Sequence, residues 1–439
     1  MKTPYIFNAL LAALSIIPSL TFAQSHSIRQ SSASVWMATS EIKRIPNPAR
    51  PEAGARVRWS YDRGLSLESI LDTWAVYGGD DLHDYLKMYV DTMIAPDGTI
   101  ARYSLLDYNI DNVRSGHFIV KYQEHFPSDG VKAAILTMLR QLDEQPRSVA
   151  DSVYWHKAIY AYQVWLDGIF MGLPFRAYAA PLYRSQVQTD SIWTDAAHQV
   201  ERTYARTLDP KTGLCRHAYD ETRMMFWADK VSGQSQHCWS RAQGWYMMAL
   251  VELLDAIPAS HPSHARIKAL LQKIVDPTLD FRDKRSGVWH QVMDCPDRDG
   301  NYLESSSTAM FAYSLLKAAD KGYLPKKYAK IGRKVYDSLV KNFIVIEPDG
   351  SISITDGCTV AGLGPGISPE IEKALRLVKS TAKAKENRRR DGSFEYYISE
   401  KVKDNDFKAF GPFIWASLVL ESDGVNTAKI ITRNARHRN

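Results

Sequence analysis

Residues 245–254 read WYMMALVELL, apolar on nearly every side, with Glu252 their one charge. The stretch has helical length, and a helix without a polar face must be covered all round. Thr308 to Ala318 is of the same kind. Other segments carry a single apolar stripe. Val131, Ile135, Met138, Leu139 and Leu142 fall at helical spacing, as do Ile267, Leu270, Leu271 and Ile274, with Arg266, Gln272 and lysines on the other face. Fully apolar helices alternating with amphipathic ones predict two concentric layers, inner helices ringed by outer ones. Roughly a dozen helical segments lie between Gly64 and Leu420. That number suits an all-α fold, an (α/α)6 barrel of six helical hairpins forming a single domain. Strand–helix alternation with glycine-rich turns is missing, which argues against a Rossmann or TIM-type sheet.

The 439 residues, 45% hydrophobic and 24% charged, have the composition of a globular protein. Lys2, the apolar run Ala9 to Leu20 broken at Pro18, and Thr21-Phe22-Ala23 read as a secretory signal over 1–23. The run is too short for a membrane span, so export to the periplasm or beyond is expected. A polar leader is expected over 24–50, the barrel over 51–425 and a solvated basic tail over 426–439. Cys215, Cys238, Cys295 and Cys358 are far apart and form no C-x-x-C pair, which disfavours zinc and leaves disulfides or free buried thiols open. The net charge of +6 suits an anionic ligand without requiring one. Nucleic acid is a poor partner, because no basic helix with interleaved aromatics occurs. A monomer or weak oligomer is expected.

Polar and aromatic clusters sit where helices begin. Tyr61 lies in WSYDRGL, Asp107, Asn109 and Asp111 in LLDYNIDNV, and His217 and Asp220 in GLCRHAYDE. Trp227 and Asp229 follow in FWAD, then Trp239, Arg241, Gln243 and Trp245 in HCWSRAQGWY. Aromatic faces stack on sugar rings, and an arginine fork binds a carboxylate through two bonds. Together they suggest a cleft for an acidic sugar. One carboxyl stands out, Asp167 in YWHKAIYAYQVWLDGIFMGLPF, beside Trp165, Ile169, Phe170 and Met171. Poor solvation there favours its protonated form, as a general acid near neutral pH requires. Asp167 and Asp111 could instead be ordinary helix caps, His217 a satisfied loop histidine, and Trp239 and Trp245 core residues.

Taken in order, WSYDRGL, YNIDNV, YWHK, WLDGIFMGLPF, RHAYDE to FWAD, WSRAQGWYMMAL, NYLESSSTAMFAY and NDFKAFGPFIWAS resemble one family. It is the unsaturated rhamnogalacturonyl hydrolases, glycoside hydrolase family 105, with the unsaturated glucuronyl hydrolases as cousins. The likeness runs from about Trp59 to Ser422. It implies the same (α/α)6 barrel and an unusual glycosidase. The family hydrates the C4=C5 bond that lyases leave on a terminal uronic acid, so the usual two-carboxylate scheme does not apply. By motif, Asp167 is implied as the general acid and base and Asp111 as its partner. His156, His217, Trp239 and Arg241 are implied around the unsaturated sugar, with Arg241 on its carboxylate. Tyr61 and Trp245 are implied as walls or hydroxyl donors. Cys215 and Arg216, ahead of His217, depart from the family pattern and bear on what lies beyond that ring.

The expected substrate is an anionic unsaturated oligosaccharide, first of all an unsaturated galacturonyl unit on rhamnogalacturonan. Glucuronyl units of ulvan, arabinogalactan or glycosaminoglycans are the alternative. The rivals are an inverting glycosidase, a sugar epimerase and a glycan-binding barrel without catalysis. No cofactor is implied, since the acids and histidines lack metal-ligand spacing. The DRDGN run at Asp297 to Asn301 reads as a turn before it reads as a calcium loop.

Overall fold

The computed structural model describes residues 31–50 and 55–438. Its long helices in chain order are α1 (Ala33–Arg44), α2 (Tyr61–Tyr77), α3 (Asp80–Met93), α4 (Ser115–His125), α5 (Asp129–Glu144) and α6 (Leu166–Tyr183). Then come α7 (Gln186–Thr207), α8 (Ser240–Ala256), α9 (Pro262–Asp280), α10 (Ser305–Asp320) and α11 (Lys327–Phe343). Two short helices, α12 (Pro369–Leu377) and α13 (Phe394–Ser399), precede α14 (Phe407–Ser422) and α15 (Thr427–Asn434). Helices α2, α4, α6, α8, α10 and α14 pack in sequence as an inner ring, and α14 closes on α2. Helices α1, α3, α5, α7, α9 and α11 each cover an inner neighbour. This is an (α/α)6 barrel.

The burial follows the sequence pattern. Every residue of α8 from Ser240 to Leu254 is buried, and α10 is buried throughout except near its end. On α5 the stripe Val131, Ile135, Met138, Leu139 and Leu142 is buried, and on α9 Ile267, Leu270, Leu271 and Ile274 are. Local signals fix the outer starts. Ser128 caps α5 through Val131 N, Ser185 and Gln188 form a capping box on α7, and Pro262 opens α9.

Short strands trim the mouth of the barrel. β1 (Gln163–Trp165) pairs antiparallel with β2 (Ala218–Asp220), Trp165 opposite Ala218. β3 (Ile344–Ile346) pairs antiparallel with β4 (Ile352–Ile354), while β5 (Gly357–Cys358) pairs with β6 (Val402–Lys403). The chain ends in β7 (Arg436–His437), parallel to β3.

Both ends depart from the expected layout. Residues 1–23, read as a signal, lie outside the described residues. Within the stretch read as a polar leader, α1 is the sixth outer helix, packed on α14 and α2 with Ala33, Val35, Met37 and Ala38 buried. The stretch looks polar because Ser34, Ser40 and Glu41 are among the residues it buries. The basic tail is not simply solvated either. α15 packs on α11 and α1, with Ile430 and Ile431 buried and Lys429 and Arg433 exposed. All four cysteines are free thiols, and only Cys295 is partly exposed. Among the described residues no helix is long and apolar enough to cross a membrane.

Burial of Ile431 makes α15 a structural element. Ile431→Ala should lower the unfolding free energy by about 2–5 kcal/mol, measured by urea titration. A loss below about 0.5 kcal/mol would return the tail to the role of solvated surface.

Candidate active site

The inner helices run parallel, so their N-termini share one mouth. There the chain places Tyr61 at the start of α2, Asp111 just ahead of α4, Asp167 in the first turn of α6, Arg241 in that of α8, Glu304 before α10 and Lys408 in the first turn of α14. Unpaired N–H groups and the helix dipoles make such a mouth favourable for an anion.

Asp167 is not a cap. Trp165 occupies the N-cap position of α6, which has no side-chain capping bond. The β1–β2 pairing sets strand β2 beside the start of α6, and Leu166 N donates to His217 O at 3.1 Å. His217 Nε2 then lies 3.1 Å from Asp167 Oδ2, while Nδ1 lies 2.8 Å from Tyr397 Oη. Burial first, then nearby Tyr396 and Asp167, push the Tyr397 phenol well above its ordinary value. The ring thus sits between the phenol and the carboxyl, one nitrogen towards each. Asp167 is 9% exposed and His217 fully buried, so this contact is largely shielded from water.

Asp111 is held apart from that pair. Lys157 Nζ lies 2.6 Å from Oδ2 and His156 Nε2 3.4 Å from Oδ1. Burial opposes its charge, yet Lys157 and His156 outweigh burial and hold the carboxyl below its usual range. Asp111 is no plain cap either, since Asn109 accepts from the Asp111 N–H at the start of that turn. The His156 ring lies flat on Trp165, centroids 4.5 Å apart, and Trp165 stacks in turn on Tyr160. Gly168 permits this approach, for a Cβ there would sit 2.9 Å from His156 Nδ1. Burial pushes His156 down to about 4, with Asp111 opposing. It is a neutral ring near pH 7.

Arg241 is 1% exposed. Its Nη1 donates to Cys358 O at 2.6 Å and to Ser306 Oγ at 3.3 Å, and its guanidinium lies over Trp239, 4.8 Å from the ring centre. Nε and Nη2, both buried, find no acceptor among the described residues. Trp239 stacks on Tyr397 and tilts against His217, which joins this cation to the Asp167 side of the mouth. Tyr61 meets the edge of Trp245, and Trp245 stacks on Phe170. Trp245 is 1% exposed and belongs to the floor beneath the mouth.

Several residues singled out in the sequence have structural duties. Asp220 accepts from Thr222 N and Met225 N in a turn. Gln243 joins Cys215 N to Thr278 Oγ1 inside the barrel. Trp227 donates to Gly364 O, and Asp229 closes a turn with Ser232. In the DRDGN run, the Asn301 amide donates to Val292 O and Cys295 O, as a turn does. Sequence reasoning missed Lys157, Tyr397 and Lys408. Lys157 stood inside the quoted YWHK motif, whereas Tyr397 lies 180 residues from His217 and carries no local signal.

A sequence profile of Glycosyl Hydrolase Family 88 matches residues 33–422. A Clostridium acetobutylicum glycoside hydrolase from family 105 superposes with a TM-score of 0.79 at 34% identity, over 89% of this chain and 99% of that one. Protein Atu3128 of Agrobacterium fabrum is 34% identical over 56% of this chain and 96% of its own length. The unsaturated rhamnogalacturonyl hydrolase YesR of Bacillus subtilis is 23% identical over 67% of this chain and 78% of its own. The unsaturated glucuronyl hydrolase of Bacillus sp. GL1 shares the fold, with a TM-score of 0.60 at 13% identity over 92% of this chain and 97% of that one.

The depressed His156 has a consequence for stability. Unfolded, the ring titrates near 6.5, so between about 6.5 and 4 the unfolded chain binds a proton that the folded one refuses. The contribution is fully present above pH 6.5 and is lost as pH falls towards 4. Urea titrations across that window should show a falling free energy whose slope flattens in His156→Asn. An equal slope in both proteins would mean that His156 charges freely in the fold.

Proposed function

The chain belongs to glycosyl hydrolase family 88, and from that membership we propose that it removes a 4,5-unsaturated uronic acid from the end of an oligosaccharide by hydrating the C4=C5 bond. The observation that carries this reading is a shielded carboxyl, Asp167, in one mouth with a buried guanidinium, Arg241, that has two unsatisfied donors. The first suits proton delivery to carbon. The second suits a carboxylate, which would accept from Nε and Nη2 together.

In this scheme Asp167 gives its proton to C4, and positive charge develops at C5 and the ring oxygen. Water adds at C5 and returns a proton to Asp167. The hemiketal formed opens, and the neighbouring sugar leaves as the former C1 acetal collapses. His217, its Nε2 3.1 Å from Oδ2, would steady the carboxylate left after proton transfer and leave the other oxygen to the substrate. Asp111, kept ionised by Lys157, would accept from sugar hydroxyls. Trp239 and Trp165 back the site, Trp239 beneath the Arg241 guanidinium and Trp165 against the His156 ring.

A galacturonyl–rhamnose fragment of pectin is the favoured substrate, on the motif likeness to the rhamnogalacturonyl hydrolases and the similarity to YesR. The apolar leader read over residues 1–23 fits an exported enzyme working on polysaccharide fragments.

Asp167→Asn should lower kcat by at least about 1,000-fold, within the range for a lost acid–base group, because an amide has no proton to give to C4. The readout is the ultraviolet absorbance of the conjugated double bond, followed with unsaturated galacturonyl-rhamnose and, in parallel, unsaturated glucuronyl disaccharides. Near-normal turnover by this variant would remove Asp167 from the role. Arg241→Lys keeps the charge and loses the fork, so KM should rise about tenfold or more with kcat little changed. An unaltered KM would point to another carboxylate partner.

A further inference from the structure

Three donor atoms of different kinds converge beside the wall of the mouth. His237 Nδ1 lies 3.0 Å from Asp294 Oδ2 and 3.6 Å from Cys295 Sγ, and all three ligand atoms fall within 4.8 Å of one another. They come from two segments bridged as a short ladder. Trp239 pairs with Val292, and Met293 N donates to Cys238 O at 2.9 Å. The arrangement is not a nucleophile with its base. A cysteine relay needs the thiol on one ring nitrogen and the carboxylate on the other. Here both approach Nδ1, which makes a common centre in place of a line.

A common centre is what a metal ion requires. Taking Zn–N as about 2.0 Å, Zn–O as about 2.0 Å and Zn–S as about 2.3 Å, tetrahedral angles give N···S of about 3.5 Å and N···O of about 3.3 Å. The first is close to the observed 3.6 Å, and the second needs the 3.0 Å contact to open by a few tenths of an ångström. The donors also suit a metal in kind. Asp294 Oδ1 accepts from the Cys238 N–H at 2.9 Å, which leaves Oδ2 towards the His237 ring. Once the ion displaces the Cys295 thiol proton to solvent, thiolate and carboxylate together carry the two negative charges that a divalent ion neutralises. Their side chains are partly buried, His237 at 17% and Asp294 at 12% exposure, so an ion can enter from solvent yet be partly shielded.

We propose that His237, Asp294 and Cys295 bind one divalent transition-metal ion of the zinc class, leaving a fourth position open to water. The mixed nitrogen, oxygen and sulfur set selects zinc or cobalt over calcium and magnesium. The ion fastens residues 237–239 to 292–295. His237 O accepts from His217 N at 3.3 Å, and Trp239 is two residues further on, so the site braces both the histidine beside Asp167 and the ring it touches. This inference rests on the cluster alone and stands whatever the substrate proves to be.

The test uses the full chain, stripped with chelator and kept reduced, titrated with Co2+ and then Zn2+. One equivalent of Co2+ should produce a thiolate-to-cobalt charge-transfer absorption that Zn2+ abolishes by displacement. The band should vanish in Cys295→Ser, an almost isosteric change. Zn2+ affinity should fall by more than about 100-fold in His237→Ala, because even outer-sphere changes cost about 10–100-fold. Circular dichroism and cooperative thermal unfolding establish that both variants fold. Absence of the band in the wild-type chain, or a band that survives Cys295→Ser, overturns the site.

Discussion

A helix with no polar face can be buried only by other helices on every side, and α8 and α10 impose that condition on the whole chain. A closed ring of parallel inner helices with an outer layer satisfies it. The same closure has an electrostatic result that no single helix specifies. The inner N-termini meet at one mouth and the inner C-termini at the other, so the barrel has two ends of opposite character.

The C-terminal end makes the contrast plain. A cavity of about 330 Å³ there is lined by Glu68, Asp72, Glu252 and Asp255 among others, answered by His117, Lys121 and Lys317. Lys121 spans Glu68 and Asp72 at 2.9 and 3.1 Å, and Lys317 pairs with Asp255 at 2.8 Å. The lysines sit where helix C-termini favour cations. At the N-terminal mouth Arg241 keeps two donors without an acceptor among the described residues. An acidic sugar therefore gains at the N-terminal mouth and would meet four carboxylates at the other.

What the sequence made legible follows from this division. Apolar periodicity reveals α8, α10, α5 and α9 because each buries a broad face. Motifs drew attention to Asp167, Trp239 and Arg241 at inner-helix starts and to Asp111 just ahead of one, whereas His156 and His217 come to the mouth from the segments before β1 and β2. Helices α1 and α15 were hidden because a handful of buried residues, such as Val35 or Ile431, leaves a short helix looking polar. Tyr397 was hidden because α13 reaches His217 only through the fold. The same reason concealed the His237, Asp294 and Cys295 cluster, whose members stand 57 residues apart and obey no ligand spacing. Trp245, read from its motif as a wall of the site, packs its ring between Phe170 and Tyr61.

The seam where the ring closes explains why α1 belongs to the barrel at all. Inner helices α14 and α2 come from opposite ends of the chain, and their joint carries Arg63, buried, with its guanidinium over Phe407 at 4.2 Å. A buried guanidinium needs an acid, and Glu41 of α1 supplies one at 3.4 Å while also holding Arg44 at 2.8 Å. Tyr61 and Lys408 flank this joint on the mouth side, the ammonium 5.9 Å from the Tyr61 ring centre. Without α1, Arg63 would be left charged and unpaired between the two inner helices that position Tyr61 and Lys408. An outer helix remote from the substrate mouth thus sets the geometry of its rim through one buried ion pair.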